Sequence, residues 1–268
     1  MSYRIAFIGL GAIGLDVFNE LKPLFQKMDA DLMVLRRQGT GDACELEQGV
    51  YECSDIDELL ARKPNLVIEA ASQDAVKEMV PACLATGATV VVTSVGALAD
   101  GELFERLVTV AEAHQARIIV PSGAIGGLDY IQAVRNAPDL QVVYESRKPV
   151  NAWLPELQEL EIKPTSITEE LVLFQGNAAE AARRYPKNLN VAATLALAGV
   201  GMNNTQVKVI VDPALTKNRH VITVRSQFGE MKLELTNTPS PSNPKSSWIV
   251  AQSIRSVIQQ EFATLQLR

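Results

Sequence analysis

Gly9-Leu10-Gly11-Ala12-Ile13-Gly14 follows directly on the apolar run Ile5-Ala6-Phe7-Ile8 and opens a segment with apolar residues at Ile13, Val17, Leu21 and Leu24. Strand, glycine turn and amphipathic helix form the context in which GxGxxG binds a dinucleotide. Gly9 allows the tight turn, Gly11 lets backbone approach a pyrophosphate, and Gly14 lets helix and strand pack closely. Ala12, Ile13 and Gly14 then present the free N–H groups and partial positive charge of a helix N-terminus to the phosphates. The plainer alternative is a βα turn that happens to be rich in glycine. Some twenty residues on, where a site for NAD usually has Asp or Glu on the ribose hydroxyls, the chain reads Leu35-Arg36-Arg37. A guanidinium grips a phosphate in bidentate fashion and stacks on adenine, so Arg36 and Arg37 suggest that NADP is accepted as well as NAD. Solvated charges at a strand end are the competing explanation.

Three further places carry polar chemistry. Ser72 lies between a strand and a helix, where a small polar residue suits a nicotinamide-ribose channel and is equally a helix cap. The segment Gly176–Thr194 holds Lys187, Asn188, Asn190 and Thr194 around a helix start. A cation, amides and a hydroxyl there suit a carboxylate or carboxamide, although asparagines also serve as plain caps. Of the two histidines, His114 sits at the polar end of a helical segment and reads as a surface residue. His220 follows the polar stretch Asp212–Arg219 and starts an alternating strand, where an imidazole can act as acid or base near neutral pH. On residue chemistry alone, a structural histidine fits His220 as well.

The elements that must position these groups fall into two domains. Up to Pro121, strands at 4–8, 31–36, 66–70, 89–93 and 117–120 alternate with helices at 13–26, 74–86 and 101–115. This predicts a doubly wound parallel sheet of the Rossmann type, with ligand at the strand C-terminal ends. A second glycine-rich turn, Ser122-Gly123-Ala124-Ile125-Gly126-Gly127, hands over to a smaller α+β domain with an open mixed sheet. Its expected strands are 140–144, 170–174, 206–211, 220–224 and 231–235, with helices from 127 to 134, at 177–184 and at 190–198. A hairpin turn is expected at Phe228-Gly229-Glu230. The predicted boundaries are 1–122 for the nucleotide domain and 123–243 for the substrate domain. A final helix over 244–268, capped by Ser242 or Asn243 with Pro244 at its first position, is expected to pack back on the first domain or at the seam. Trp248, Ile254, Val257, Ile258 and Phe262 mark its apolar face.

Composition restricts the function class. At 268 residues, 47% hydrophobic and 21% charged, the chain is an ordinary folded protein. A net charge of −6 argues against general binding to nucleic acid or an anionic membrane. No apolar run reaches membrane-spanning length and no leader precedes the first strand, so a cytoplasmic location is expected. Cys44, Cys53 and Cys83 have neither CxxC nor zinc spacing, which predicts reduced thiols and no metal.

Taken together, these segments resemble the L-aspartate dehydrogenase family. The resemblance spans the chain and rests on Gly9–Gly14, Ser122–Gly127, Gly176–Thr194, Asp212-Pro213 through His220, and Asn243-Pro244-Lys245-Ser246-Ser247. Ser246 stands where the family usually has Thr. The resemblance implies His220 as the catalytic residue and Ala124 and Asn190 as cofactor contacts. It also implies oxidation of L-aspartate to iminoaspartate with NAD or NADP, or the reverse amination of oxaloacetate, feeding pyridine-nucleotide biosynthesis. Lys187, Asn188, Thr194 and Lys245 become the candidates for the substrate carboxylates. A homo-oligomer is expected, a dimer favoured by an exposed sheet face. The alternatives are another two-domain NAD(P)-dependent reductase of a small dicarboxylate or amino acid, and a nucleotide-sensing protein without catalysis. Sugar oxidoreductases usually carry Glu-Lys-Pro after the fifth strand, where this chain has Thr93-Ser94-Val95; Arg147-Lys148-Pro149 comes too late to substitute. A sensor would have no need of His220 with the Lys/Asn cluster.

Overall fold

The computed structural model describes residues 3–36, 49–185, 190–241 and 246–266. They form two compact units, one reaching to Pro121 and joined by the C-terminal stretch from Ala251, the other running from Ser122 to Val250.

The first unit alternates β1 (Arg4–Ile8), α1 (Ala12–Lys27), β2 (Asp31–Leu35), β3 (Val50–Cys53), α2 (Ile56–Ala61), β4 (Leu66–Glu69), α3 (Gln73–Ala85), β5 (Thr89–Val92), α4 (Gly101–Ala113) and β6 (Arg117–Ile119). The strands pair in parallel in the order β3-β2-β1-β4-β5-β6. The order reverses between β1 and β4, which is where a doubly wound sheet opens its ligand crevice. Strands β4 and β5 are buried along their whole length, as expected for strands covered on both faces. Helix α1 forms because Gly14, Val17, Phe18, Leu21 and Phe25 recur at helical spacing and meet the sheet. Phe7 of β1 packs edge-on against Phe18 and Phe25, with ring centroids 5.3 and 6.2 Å apart. Strand β3 and helix α2 are additions to the expected pattern. Tyr51 and Glu52 of this edge strand are exposed, so its apolar signal is thin.

The second unit carries α5 (Leu128–Val134), β7 (Gln141–Lys148), α6 (Leu154–Glu159), β8 (Leu171–Asn177), α7 (Ala178–Arg184), α8 (Asn190–Ala198), β9 (Gln206–Val211), β10 (Asn218–Ser226) and β11 (Gly229–Asn237). Its mixed sheet runs β11-β10-β7-β9-β8, with only β7 and β9 parallel. Burial alternates strictly along β7 and through most of β10, so one sheet face is inward and the other is not. The inward face packs Val142, Tyr144, Val207, Val209, Ile222 and Val224 with side chains of α5, α7 and α8. Strand β7 continues to Lys148, past the expected end at Tyr144. The hairpin turn is Gln227-Phe228, one residue earlier than expected, because Gly229 already pairs with Ser226.

The last helix, α9, spans Ile249–Glu261 rather than starting at Pro244. The backbone before it is held extended: Pro239 bridges Ser247, Ser240 N–H donates to Ser246 O and Trp248 N–H to Thr238 O. Ser242, Asn243 and Pro244, the expected cap, lie outside the described residues. Trp248, expected on the apolar face, is half exposed; Ala251, Ile254 and Ile258 are the buried ones. The helix belongs to the first unit through Arg255 and Gln252 on Glu20, Arg117 on Glu261, and Phe262 edge-on to Tyr3. Ile254→Ala should therefore destabilise the nucleotide unit by about 2–5 kcal/mol, as large-to-small changes in a core do. Urea unfolding measures this, and an unchanged midpoint would show that α9 is not part of that core.

Candidate active site

The nucleotide edge is built by close contact between the loops that follow β1 and β4. Gly9 has φ +89°, a conformation that suits glycine, and a Cβ there would stand 2.7 Å from Ala71 Cβ. A Cβ on Gly14 would stand 2.5 Å from Gly9 O. Gly9 N–H donates to Leu35 O, and Ala70 N–H to Ile8 O. Gly11 differs from both. Its φ is −68°, and a Cβ would meet nothing within 4 Å. Gly11 is also the N-cap of the 16-residue α1, with no side-chain cap and no acidic residue in the first turn. The positive end of α1 thus begins at a glycine whose Cβ position is open among the described residues, which fits a pyrophosphate.

Glu69, not among the expected site residues, organises this edge. Its side chain is fully buried and accepts from five donors: Ala71 N, Ser72 N and Ser94 Oγ at Oε1, and Thr93 N and Ser94 N at Oε2, all at 2.8–3.2 Å. It ties the loop after β4 to the loop after β5. The available signal was a lone acid closing the apolar strand Leu66-Val67-Ile68. Ser72 caps α3, its Oγ accepting from Ala75 N–H at 3.2 Å. Arg36 stands at the end of β2, where its guanidinium meets Glu52 of β3 through two contacts, Nε–Oε1 at 2.6 Å and Nη2–Oε2 at 3.2 Å. That pairing holds the Glu52 carboxyl below its ordinary range. Arg37 lies outside the described residues.

In the second unit, His220 is on the inward face of β10 and only 4% exposed. It pairs in register with Ser146 of β7, and Tyr144 and Lys148 flank Ser146 on the same face. Tyr144 Oη lies 2.7 Å from His220 Nδ1. His220 Nε2 is buried with no hydrogen-bond partner among the described residues. Lys148 is 5% exposed, with Nζ 5.1 Å from the centre of the Trp153 ring. Burial first, and the Lys148 charge second, push the His220 imidazolium down to about 4. Burial pushes the Tyr144 phenol above its ordinary range. A neutral imidazole, a neutral phenol and a cation therefore share one dry surface at neutral pH, an arrangement suited to receiving an anion and a proton. Ser146 and Lys148 were not expected here because the apolar signal of this strand ends at Tyr144, and Tyr144 itself read as one more apolar residue of the strand.

Ala124 is buried near the start of the second unit, its carbonyl accepting from Asn237 Nδ2 at 2.8 Å. Asn190 is the exposed first residue of α8. Thr194 is buried and donates its hydroxyl proton to Asn190 O at 3.0 Å, so in this arrangement that proton is not offered to a carboxylate. Lys187, Asn188 and Lys245 lie outside the described residues. Burial pushes the Cys83 thiol up to about 12, which rules it out as a ready nucleophile. Among the described residues no cluster of His, Cys, Asp and Glu could hold a metal, and no helix is long and apolar enough to cross a membrane.

A Rossmann unit with a glycine cradle, followed by a mixed-sheet unit that buries a neutral histidine beside a lysine, defines the class of two-domain nicotinamide-dinucleotide oxidoreductases. Residues 9–121 match the homoserine dehydrogenase NAD-binding domain, and residues 129–261 match the C-terminal domain of aspartate dehydrogenase. L-aspartate dehydrogenase 2 of Bordetella bronchiseptica is 51% identical over 263 residues, 98% of each chain. The L-aspartate dehydrogenase of Methanosarcina barkeri is 39% identical over 270 residues, again 98% of each. The crystal structure of aspartate dehydrogenase from Thermotoga maritima superimposes with a TM-score of 0.75 at 24% identity, covering both chains completely. The chain belongs to the aspartate dehydrogenase family.

The buried neutral histidine has a cost that depends on pH. Above pH 6.5 neither the folded nor the unfolded state protonates it; between 6.5 and about 4 only the unfolded state does. Stability therefore falls as pH drops through that window, by about 3 kcal/mol in all. Denaturant midpoints measured from pH 7 to 4.5 should fall more steeply for the natural protein than for His220→Gln. Parallel curves would mean that the imidazole is not held neutral.

Proposed function

We propose that this protein oxidises L-aspartate to iminoaspartate with NAD or NADP, and catalyses the reverse amination of oxaloacetate. The observation that carries the reading is the buried, neutral His220 beside Lys148, in a chain whose full length resembles L-aspartate dehydrogenases. The nicotinamide supplies a two-electron acceptor for the hydrogen on Cα. The chain's residues do the rest. The N-terminus of α1 and Gly11 hold the pyrophosphate, and Glu69 fixes the loops carrying Ser72 and Ser94 beside the nicotinamide ribose. Ala124 and Asn190 contribute cofactor contacts from the second unit. Lys148, with Lys187, Asn188 and Lys245, draws the substrate carboxylates.

Hydride leaves Cα readily only when nitrogen's lone pair can push, so the substrate ammonium must first lose a proton. His220 Nε2 is the acceptor, directly or through one water. Before substrate arrives, burial and Lys148 oppose protonation of His220. The two carboxylates of aspartate offset the lysine charge and make the imidazole a better base when it is needed. In the amination direction the same imidazolium returns the proton. A dicarboxylate thus assists its own deprotonation, which favours this reading over a monocarboxylic amino acid.

At the adenosine end, Glu52 and a 2′-phosphate compete for one guanidinium. We propose that both cofactors are accepted, Arg36 turning to the phosphate of NADP and remaining with Glu52 when NAD is bound.

Incubation with aspartate and NAD or NADP, followed by reduced-cofactor absorbance, tests the activity. His220→Ala should lower turnover by about 10²–10⁴-fold with cofactor affinity near normal, the range for loss of a general base. Near-normal turnover would remove His220 from the mechanism. Arg36→Ala should weaken NADP by roughly 10-fold or more while sparing NAD, since charge-assisted bonds to phosphate are the strong ones. Equal loss for both cofactors would rule out the phosphate contact.

A further inference from the structure

Glu69 carries a charge that its own hydrogen bonds do not remove. Four of its five donors, Ala71 N, Ser72 N, Thr93 N and Ser94 N, are backbone N–H groups that can only donate. Two of them meet each oxygen, so both oxygens serve as acceptors and the side chain stands there as a carboxylate. Backbone dipoles gathered round an anion hold it in place, but they bring no net charge of their own, and the unit charge remains. Glu69 has no ion-pair partner among the described residues. It is fully buried, whereas Asp74 in α3 and Asp100 at the start of α4 are exposed to the water and salt that screen them.

Its place in the sheet decides what meets that field. The order β3-β2-β1-β4-β5-β6 sets three stations along the C-terminal edge of the strands. Arg36 follows β2 on one side, the N-terminus of α1 follows β1 in the middle, and Glu69 closes β4 on the other side. With adenosine at the first station and pyrophosphate at the second, the nicotinamide half falls to the third. That half changes charge in the reaction. Its oxidised ring is a cation and its reduced ring is neutral, so a fixed anion at this end of the crevice acts on one form and not on the other.

We propose that Glu69 selects the redox state of the cofactor: its buried carboxylate favours the oxidised dinucleotide, so that the nucleotide unit holds NAD⁺ at least as tightly as NADH. No contact with the ring is needed. A unit charge anywhere within about 12 Å, in an effective dielectric near 20, changes an affinity ratio by roughly 10-fold or more. A thermodynamic cycle carries the preference into the reaction. A site that binds the oxidised form more tightly makes bound NADH a stronger hydride donor than free NADH, which favours the direction in which substrate is reduced. The five hydrogen bonds explain why an acid stands at this position; its charge then acts beyond the loops that it ties. The inference rests on dinucleotide binding by the first unit and not on which amino acid is oxidised.

Calorimetric titration of NAD⁺ and of NADH into the full-length protein, without substrate, tests this. In the natural protein the two dissociation constants should be comparable, or NAD⁺ the tighter. Glu69→Gln removes the charge at nearly constant shape and should move their ratio roughly 10-fold toward NADH. Glu69→Asp keeps the charge but shortens its reach to the loop donors; it should weaken both forms and leave their ratio near the natural one. Equal loss of both forms in the Gln variant would reduce Glu69 to a tie between loops and overturn the proposal. So would a natural protein that binds NADH more than roughly 10-fold tighter than NAD⁺, a result that needs no variant and holds even if the Gln protein does not fold. If neither nucleotide binds the natural protein, the dinucleotide site itself falls and the proposal with it.

Discussion

Glu69 is the point on which the nucleotide unit turns. A side chain with no exposure can remain at the end of a buried strand only if its oxygens are satisfied, and here backbone N–H groups of two loops and one serine hydroxyl do that. The exchange is mutual, because those N–H groups would otherwise be orphans where the strands end. With the loop after β4 fixed, Ala71 stands against Gly9, and only a glycine fits. With Gly9 fixed, its carbonyl closes on Gly14, and again only a glycine fits. One acid and two steric contacts therefore set the start of α1.

The second unit uses desolvation differently. Its inward sheet face is apolar at one end, around Val142 and Val224, and polar at the other, around Ser146, Lys148, Asn218 and His220. Such burial weakens the charged form of the imidazole and strengthens the field of the lysine. The two effects act in the same direction on His220. What would be a liability in a core suits the proposed task of receiving an anion that brings a proton.

The larger outline could be read from the residues, and the finer one could not, for physical reasons. Strand–glycine–helix at Ile5–Gly14 is a local pattern with one structural solution, and β1 and α1 lie where it places them. The alternation in Gln206–Val211 likewise marks a half-buried strand. Strand β3 was not legible because an edge strand has little to bury. The polar half of β7 was missed because apolar content marks burial, whereas here polar groups are the buried ones. The partnership of Arg36 with Glu52 is a register effect between β2 and β3 that no spacing along the chain reveals. His220 gained its significance from resemblance. Its burial and its contact with Tyr144 depend on pairing with a strand more than seventy positions away.

The three glycines at the start of the chain answer to different pressures. Gly9 and Gly14 are demanded by the protein's own atoms, whether or not anything is bound. Gly11, with ordinary backbone angles and room for a Cβ, is demanded by nothing among the described residues. A descendant that lost its nucleotide would still have to keep the outer two, or come apart at the β1–β4 seam, while position 11 drifted freely. In a lineage with this architecture, the middle letter of the motif alone records whether a ligand is still being held.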